Sequence, residues 1–225
     1  MDKLAQNFFN PEIIAGAAPS VLWGFLLTIE VSFAVMAIGL GLGMALALLR
    51  LLNMRLVSAL VIAWIEVFRT LPQLVILIFI FFALPYAGIA LSPFVATALA
   101  LGAVLSAFCA EIFTASIMAL PKGQWEAAQA LGFGPIRTLR LIILPQSVRL
   151  ATPLVTNRVI AVTKGTALGT AVSLNDTLGA AESYMAITAN PSPLMLAAGL
   201  YLMFYIPLVA ASRWLEWRAA SHLRK

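Results

Sequence analysis

The chain has 225 residues, of which 62% are hydrophobic and only 10% are charged. Soluble domains carry about 25% charged residues, so this composition excludes a globular protein coated with polar side chains and predicts one embedded in lipid. The net charge of +5 would suit a nucleic-acid partner, but in a membrane protein an excess of Lys and Arg more often marks cytoplasmic loops. The positions of the basic residues decide between these two interpretations.

The apolar segments predict an all-α membrane protein. A transmembrane helix needs about 20 predominantly apolar residues. Five segments meet this requirement, at about 20–49, 57–84, 93–118, 151–172 and 193–212. Residues 1–19 are polar and lack the pattern of a signal peptide, so they are expected to form an extracytoplasmic or interfacial lead-in to a single transmembrane domain over residues 20–212.

Basic residues concentrate between spans one and two, between spans three and four, and after span five, namely at Arg50, Arg55, Lys122, Arg137, Arg140, Arg149, Arg213, Arg218, Arg224 and Lys225. The opposite side carries Lys3 together with Asp2, Glu12, Asp176 and Glu182. The positive-inside rule therefore predicts an extracytoplasmic N-terminus and a cytoplasmic C-terminus, with residues 213–225 as a basic cytoplasmic tail. This asymmetry argues against nucleic acid as a partner.

Span one contains a patch of small residues, Gly39, Gly41 and Gly43. Such residues allow helices to approach closely. The patch indicates either packing within the chain, which is the more ordinary arrangement, or an interface with another subunit.

The largest predicted cytoplasmic loop, at 119–149, contains its own short helices. Gly123 and Gly132 bracket a stretch of good helix formers, Gly134–Pro135 predicts a turn, and a second short segment is expected to end at Pro145. Such a loop is either an interfacial helical hairpin under the bundle or a docking element for a cytoplasmic partner.

The spacing within this loop resembles, position for position, the EAA loop of bacterial ABC importer permeases. It reads Glu126–Ala127–Ala128, three residues, Gly132, nine residues, Ile142, one residue, and Leu144–Pro145. The resemblance implies that short coupling helices dock into a groove on a separate ATP-binding subunit. The residues it assigns to this coupling are Gly123, Glu126, Ala127, Ala128, Leu131, Gly132, Ile142, Leu144 and Pro145.

Other segments resemble the permeases of the histidine/glutamine/arginine type, which carry polar amino acids. They are residues 63–76 (AWIEVFRTLPQLVI), 110–112 (AEI), 122–124 (KGQ), 144–146 (LPQ) and 164–168 (KGTAL). The sequence departs from that pattern at Thr70, Leu71, Gln73, Thr114 and Ala167. These departures bear on the identity of the substrate and not on the fold or the ATPase coupling.

Ionisable residues also fall inside the predicted spans, at Glu30, Glu66, Arg69, Glu111, Arg158 and Lys164. Each costs about 2.5–3.5 kcal/mol on insertion scales, so each is expected to face a partner or a wet path. Glu66 and Arg69 are i, i+3 neighbours, which indicates either a mutual ion pair or a pair of ligands for a zwitterionic amino acid.

Pro72 supports a water-filled cavity nearby, because it leaves the carbonyl of Phe68 without its helical donor. Glu30 indicates either selectivity for cationic cargo or pairing across the bundle. The expected substrate path comprises Glu30, Glu66, Arg69, Pro72, Glu111 and Lys164.

The sequence shows no catalytic or metal-binding set. His222 is the only histidine and Cys109 the only cysteine, and neither has clustered partners. The chain is therefore predicted to be no enzyme and to hold no cofactor or metal. The resemblance implies ATP and Mg on a partner subunit.

The resemblance as a whole implies a multi-pass permease of a bacterial cytoplasmic (inner) membrane. Its implied partners are two cytoplasmic ATP-binding subunits, a second permease subunit that is identical or paralogous, and an extracytoplasmic solute-binding protein. Its expected function is to move a polar amino acid, or a derivative, into the cell by alternating access. An ion-coupled secondary amino acid carrier is the alternative, but it gives no reason for the Glu126–Pro145 pattern. A membrane scaffold without transport would not need the intramembrane charges.

Overall fold

The computed structural model describes residues 6–52 and 54–223, with side chains described as far as Arg218. Asp2, Lys3, Arg224, Lys225 and the side chain of His222, which entered the predictions above, lie outside the described part. The described residues are predominantly helical and include no strand. The prediction of an all-α protein is confirmed at this level.

The α-helices used below are α1 (Pro11–Arg50), α2 (Arg55–Thr70), α3 (Gln73–Ala83), α4 (Pro93–Met118), α5 (Lys122–Ala130), α6 (Pro135–Thr138), α7 (Leu144–Thr163), α8 (Thr177–Thr188) and α9 (Ser192–Leu223). A 3₁₀ segment (Leu84–Ala87) follows α3, a π-helical turn (Leu139–Ile143) joins α6 to α7, and a second 3₁₀ segment (Lys164–Val172) continues α7.

The first helix begins at Pro11, before the predicted start of span one at residue 20. Asn10 explains this start, because its side-chain oxygen accepts hydrogen bonds from the backbone N–H groups of Glu12 and Ile13 at 3.0 and 3.3 Å. These are the donors that a helix leaves unpaired at its N-terminus. Part of the predicted lead-in is therefore continuous with α1.

Helix α4 lies at the centre of the molecule, and most of its residues are buried. The glycines of α1 let it approach α4 closely. A Cβ atom placed on Gly43 would lie 2.5 Å from the Cβ atom of Cys109, and one placed on Gly39 would lie 2.5 Å from the side chain of Leu105. Packing within the chain is confirmed for these two glycines, whereas Gly41 has nothing within 4 Å.

The contacts also give the directions of the helices. Gly39 meets Leu105 and Gly43 meets Cys109, so α1 and α4 run in the same direction. Along α4, later residues meet earlier residues of the α7 segment: Arg158 meets Phe108 and Gly165 meets Leu101. Hence α7 is antiparallel to α4.

Helix α9 is antiparallel to α7, because Ser212 bonds to Asn157 while Tyr205 lies by Lys164. These directions bring Arg50, the loop 119–149 and Arg213 to one end of the bundle. The basic groups of the described residues that the positive-inside rule uses thus share an end.

The predicted single span at 57–84 is wrong as one helix. It is interrupted at Leu71–Pro72, and the segments Arg55–Thr70 and Gln73–Ala87 are bent by 106° relative to each other. Proline lacks the N–H that would continue the helix, and it disfavours the α-region for the residue before it. Leu71 accordingly has an extended backbone, with ψ 138°.

The boundaries of the fourth and fifth segments also differ from the prediction. Regular helix begins at Leu144, inside the predicted loop, and changes to 3₁₀ geometry at Lys164 rather than continuing to residue 172. Helix α8 was not predicted at all. Helix α9 continues to Leu223, through much of the predicted tail.

Among the described residues, three helices are long and apolar enough to cross a membrane, or four if the bent pair forms one span. They are Gln6–Arg50, Pro93–Met118 and Ser192–Arg218, with Arg55–Thr70 and Gln73–Ala87 as the pair. Several apolar helices of spanning length are therefore confirmed, while the total of five spans stays a prediction.

The α1–α4 contact gives a stability test with a matched control. Replacing Gly43 with Ala places a methyl group against Cys109 and should lower the free energy of unfolding by about 1–3 kcal/mol, the usual cost of overpacking. Replacing Gly41 with Ala adds the same group where nothing lies within 4 Å and should leave stability unchanged or slightly raised. Unfolding of both variants in detergent measures the difference, and equal effects would contradict this packing.

Candidate coupling loop and transport path

Helix α5 (Lys122–Ala130) begins after Pro121, whose carbonyl accepts from the N–H of Gln124 at 3.0 Å. It ends through Gly132, which has φ +76°. In this left-handed conformation Gly132 donates to the carbonyl of Gln129 at 2.9 Å, and Phe133 donates to that of Ala128 at 3.0 Å. Only glycine adopts this conformation without cost. The predicted turn at Gly132 is confirmed.

One face of α5 packs on the protein and the other is open. Ala128 is 1% exposed and Trp125 is half-buried, whereas Glu126 and Ala127 are exposed. Leu131, just after the helix, is 74% exposed. The free face therefore offers a carboxylate, a small side chain and an apolar side chain to a partner.

The second segment of the loop was predicted to end at Pro145, and this prediction is wrong. Helix α6 passes through the π-helical turn directly into α7, so the chain is helical from Pro135 to Thr163. The wider turn accommodates Pro145, because its ring would otherwise press on the carbonyl of the residue four positions earlier. Leu144 instead donates to the carbonyl of Leu139.

A side-chain contact ties α5 to the beginning of α7. The Nε2 of Gln146 donates to Oε1 of Gln124 at 3.1 Å and to the carbonyl of Ile142 at 2.9 Å. This contact joins α5 to the helix that ends at Thr163.

An open groove of about 600 Å³ lies beside the turn between α5 and α6. It is lined by Gly134, Pro135, Ile136, Arg137, Arg140 and Leu141. Ile136 is 80% and Leu141 57% exposed. Sequence reasoning did not select these apolar residues, although two exposed apolar side chains beside two arginines are a signal for a binding surface.

Arg69 and Glu111 form an ion pair that joins α2 to α4, with Nη1 2.6 Å from Oε2. Of the two interpretations offered for Glu66 and Arg69, the mutual ion pair is therefore not observed. Glu66 is exposed on α2 and forms no ion pair with any described residue. Arg69 turns instead towards α4, where its guanidinium also lies 5.6 Å from the centre of the Phe108 ring.

Arg158 of α7 contacts the same aromatic ring, with its guanidinium 4.5 Å from the centre of Phe108. Contacts of this kind are favourable by about 0.5–1 kcal/mol at exposed positions. The guanidinium groups of Arg69 and Arg158 thus both contact the Phe108 ring of α4.

The interruption at Pro72 and the start of the 3₁₀ segment at Lys164 are close in space, because Gln73 packs against Gly165. The Nζ of Lys164 lies 5.5 Å from the centre of the Tyr205 ring. The structure therefore brings Pro72 and Lys164 together, and Arg69 with Glu111.

Glu30 is not part of this arrangement. It is exposed on α1, on the side away from the buried Thr28 and Ser32, and it has no ion-pair partner in residues 6–52 and 54–218. The structure thus separates Glu30 from the buried face of α1.

Sequence reasoning placed Asp176 in an extracytoplasmic loop and missed its role in the fold. Its side chain is fully buried and accepts hydrogen bonds from the N–H of Gly179 at 3.0 Å and the hydroxyl of Tyr201 at 3.3 Å. The next residue, Thr177, bonds to Thr28 of α1 at 2.7 Å. Asp176 therefore caps α8 and ties it to α9, while Thr177 ties it to α1. An Asp directly before a short apolar segment was the available signal.

Comparison with known proteins agrees with this arrangement. Residues 37–221 match the family model described as "Binding-protein-dependent transport system inner membrane component". The probable glutamine ABC transporter permease protein GlnP of Bacillus subtilis is 34% identical over 202 residues, 88% of this chain and 93% of the relative. The probable amino-acid ABC transporter permease protein YckA of the same organism is 33% identical over 173 residues, 77% of this chain and 76% of the relative.

Among solved structures, the crystal structure of an amino acid ABC transporter with histidines matches with a TM-score of 0.81 and 27% identity. The match covers 91% of this chain and 96% of that chain. The chain belongs to the family of binding-protein-dependent transport system inner membrane components. The resemblance of the chain to amino-acid ABC importer permeases is confirmed, and the chain is a membrane permease subunit rather than a catalytic one.

A double-mutant cycle tests the Arg69–Glu111 pair. Both side chains remain partly exposed, at 33% and 46%, so solvent screening limits the expected coupling to about 0.5–1 kcal/mol. Arg69→Ala and Glu111→Gln should show this coupling in the free energy of unfolding. Arg69→Ala combined with Glu66→Gln is the control and should be additive. Coupling to Glu66 instead of Glu111 would contradict the observed pairing.

Proposed function

We propose that this permease subunit carries a polar amino acid, or a derivative of one, into the cell, driven by a separate ATPase. The observation that carries the proposal is the exposed face of α5. Glu126 and Ala127 of the EAA pattern are exposed on this face. The other face of α5 packs on the protein, and the Gln124–Gln146 contact joins α5 to α7.

The drive would pass from α5 to the membrane through continuous structure. Closure of the ATPase dimer moves α5, and the Gln124–Gln146 contact and the helical connection from Pro135 carry that movement into α7. Helix α7 ends at Thr163, and the 3₁₀ segment that starts at Lys164 interrupts regular helix. Reorientation around this region gives alternating access to a site within the membrane.

The nature of the cargo is supported by the relatives and by the charges. Relatives are named as permeases for amino acids, and GlnP, which is 34% identical, as a probable glutamine permease. A zwitterion needs a cation for its carboxylate and an anion for its ammonium group. Arg69 is already paired with Glu111, so Lys164 is the better partner for the carboxylate and Glu66 for the ammonium group.

The path that we propose comprises Glu66, Arg69, Pro72, Glu111 and Lys164. Interrupted helices are tolerated in a membrane only where the freed backbone groups face protein or water, and both Pro72 and Lys164 mark such interruptions. Glu30, on the outer side of α1, is kept outside this path.

The complete assembly follows from the proposed mechanism. Five spans would cross a bacterial inner membrane, with the N-terminus extracytoplasmic and the basic end of the bundle in the cytoplasm. Two ATP-binding subunits with ATP and Mg, a second permease subunit and an extracytoplasmic solute-binding protein would complete the importer.

The coupling role is tested by uptake of radiolabelled L-glutamine into proteoliposomes that hold the complete transporter. Glu126→Lys should lower ATP-dependent uptake by at least about tenfold, because reversing one charge at a close interface turns attraction into repulsion. Glu12→Lys makes the same change at an exposed position of α1 and serves as the control. Normal uptake by Glu126→Lys, or uptake by the permease without any ATPase, would contradict the proposal; the latter would favour an ion-coupled carrier.

A further inference from the structure

Two interruptions of regular helix meet at a single contact. One is the bend at Leu71–Pro72 between α2 and α3, and the other is the start of the 3₁₀ segment at Lys164. The side chain of Gln73 lies directly on Gly165, so close that a Cβ atom at Gly165 would overlap with Oε1 of Gln73. The absence of a side chain at Gly165 is what gives the Gln73 carboxamide its place.

The surroundings leave this carboxamide without a hydrogen-bond partner. The other close neighbour of the same position is apolar, since Cδ2 of Leu101 would lie 3.4 Å from a Cβ atom on Gly165. Gln73 is only half-buried, and no residue of the described part donates to or accepts from its side chain. An amide held against apolar groups is costly unless something hydrogen-bonds to it, so its free groups are available to a ligand.

The charges next to this contact are unbalanced. Lys164 adjoins Gly165 in the chain and has no acidic partner among the described residues, whereas Arg69 is neutralised by Glu111. An uncharged hydrogen-bonding group therefore lies on the residue next to Lys164, whose ammonium group faces the Tyr205 ring and has no acidic partner among the described residues. A cargo carboxylate is attracted to Lys164, and a cationic cargo side chain is repelled by it.

We infer that Gln73, seated on Gly165, is a specificity-determining residue of the path and selects cargo with an uncharged, hydrogen-bonding side chain, such as a carboxamide, over cargo with a cationic side chain. This inference rests on the proposed function and narrows its polar amino acid to an uncharged one.

Equilibrium binding of radiolabelled L-glutamine to the purified transporter complex, without the solute-binding protein, tests the inference at the membrane site itself. Gln73→Leu removes the amide at similar volume and should weaken binding about tenfold, the effect of losing one hydrogen bond to a polar ligand. Gln73→Glu introduces a carboxylate and should make L-arginine the better competitor. Gln6→Leu, an exposed change outside the path, should bind like the wild type.

A second arm tests the contact independently of any cargo. Gly165→Ala should lower the thermal midpoint of the complex because its methyl group displaces Gln73, and Gln73→Ala in the same chain should restore that midpoint. If Gln73→Leu proves unstable, Gln73→Asn against Gln73→Glu gives the comparison: the amide variant should favour glutamine and the acidic variant arginine.

The results that overturn the inference are distinct from those that overturn the proposed function. Wild-type affinity in Gln73→Leu, an unchanged ranking of glutamine and arginine in Gln73→Glu, or a Gly165→Ala defect that Gln73→Ala does not relieve would each overturn the inference. None of those results bears on ATP-dependent uptake by the wild-type complex. Absence of any ATP-driven amino acid uptake by the wild-type complex would instead overturn the proposed function.

Discussion

The close packing of α1 on α4 is the constraint on which the other positions depend. Lipid is as apolar as the helices, so helices associate in a membrane through close packing and polar contacts rather than through the hydrophobic effect. Gly39 and Gly43 let α1 approach α4 at the level of Leu105 and Cys109. On the same stretch of α4, Glu111 pairs with Arg69 of α2. Phe108 contacts Arg69 and also Arg158 of α7. A shift of α4 would therefore displace the Arg69–Glu111 ion pair as well as the core.

The chain combines a long continuous helical segment with two interruptions of regular helix. From Pro135 to Thr163 the chain is continuously helical, which suits the proposed transfer of movement from the loop. At Pro72 and at Lys164 the helices are interrupted, and there polar backbone must meet protein or water. The helical connection leads from the loop to one of these interruptions, and Gln73 on Gly165 links it to the other.

Local features were predictable from the sequence, whereas contacts between distant segments were not. Gly132 predicted a turn because glycine adopts a positive φ more readily than other residues. The EAA spacing indicated the family. The partner of Arg69 could not be predicted, because the i, i+3 rule considers only its own helix, while Glu111 lies on another. Pro72 signalled an interruption but not a bend of 106°. Asp176 was taken for a loop residue because its burial depends on Tyr201 and on α1, both far away in sequence.

Contact between the open face of α5 and the ATP-binding subunit is the central claim, and site-directed cross-linking measures it. Cys109 is the only cysteine of the chain and is buried, so Cys109→Ala provides a background for single cysteines at Ala127, which is exposed, and Ala128, which is buried. A cysteine-reactive photo-cross-linker should join the Ala127→Cys variant to the ATP-binding subunit of the assembled transporter, and the Ala128→Cys variant should give little product. Absence of cross-linking at position 127, or equal yields at the two positions, would contradict docking through this face.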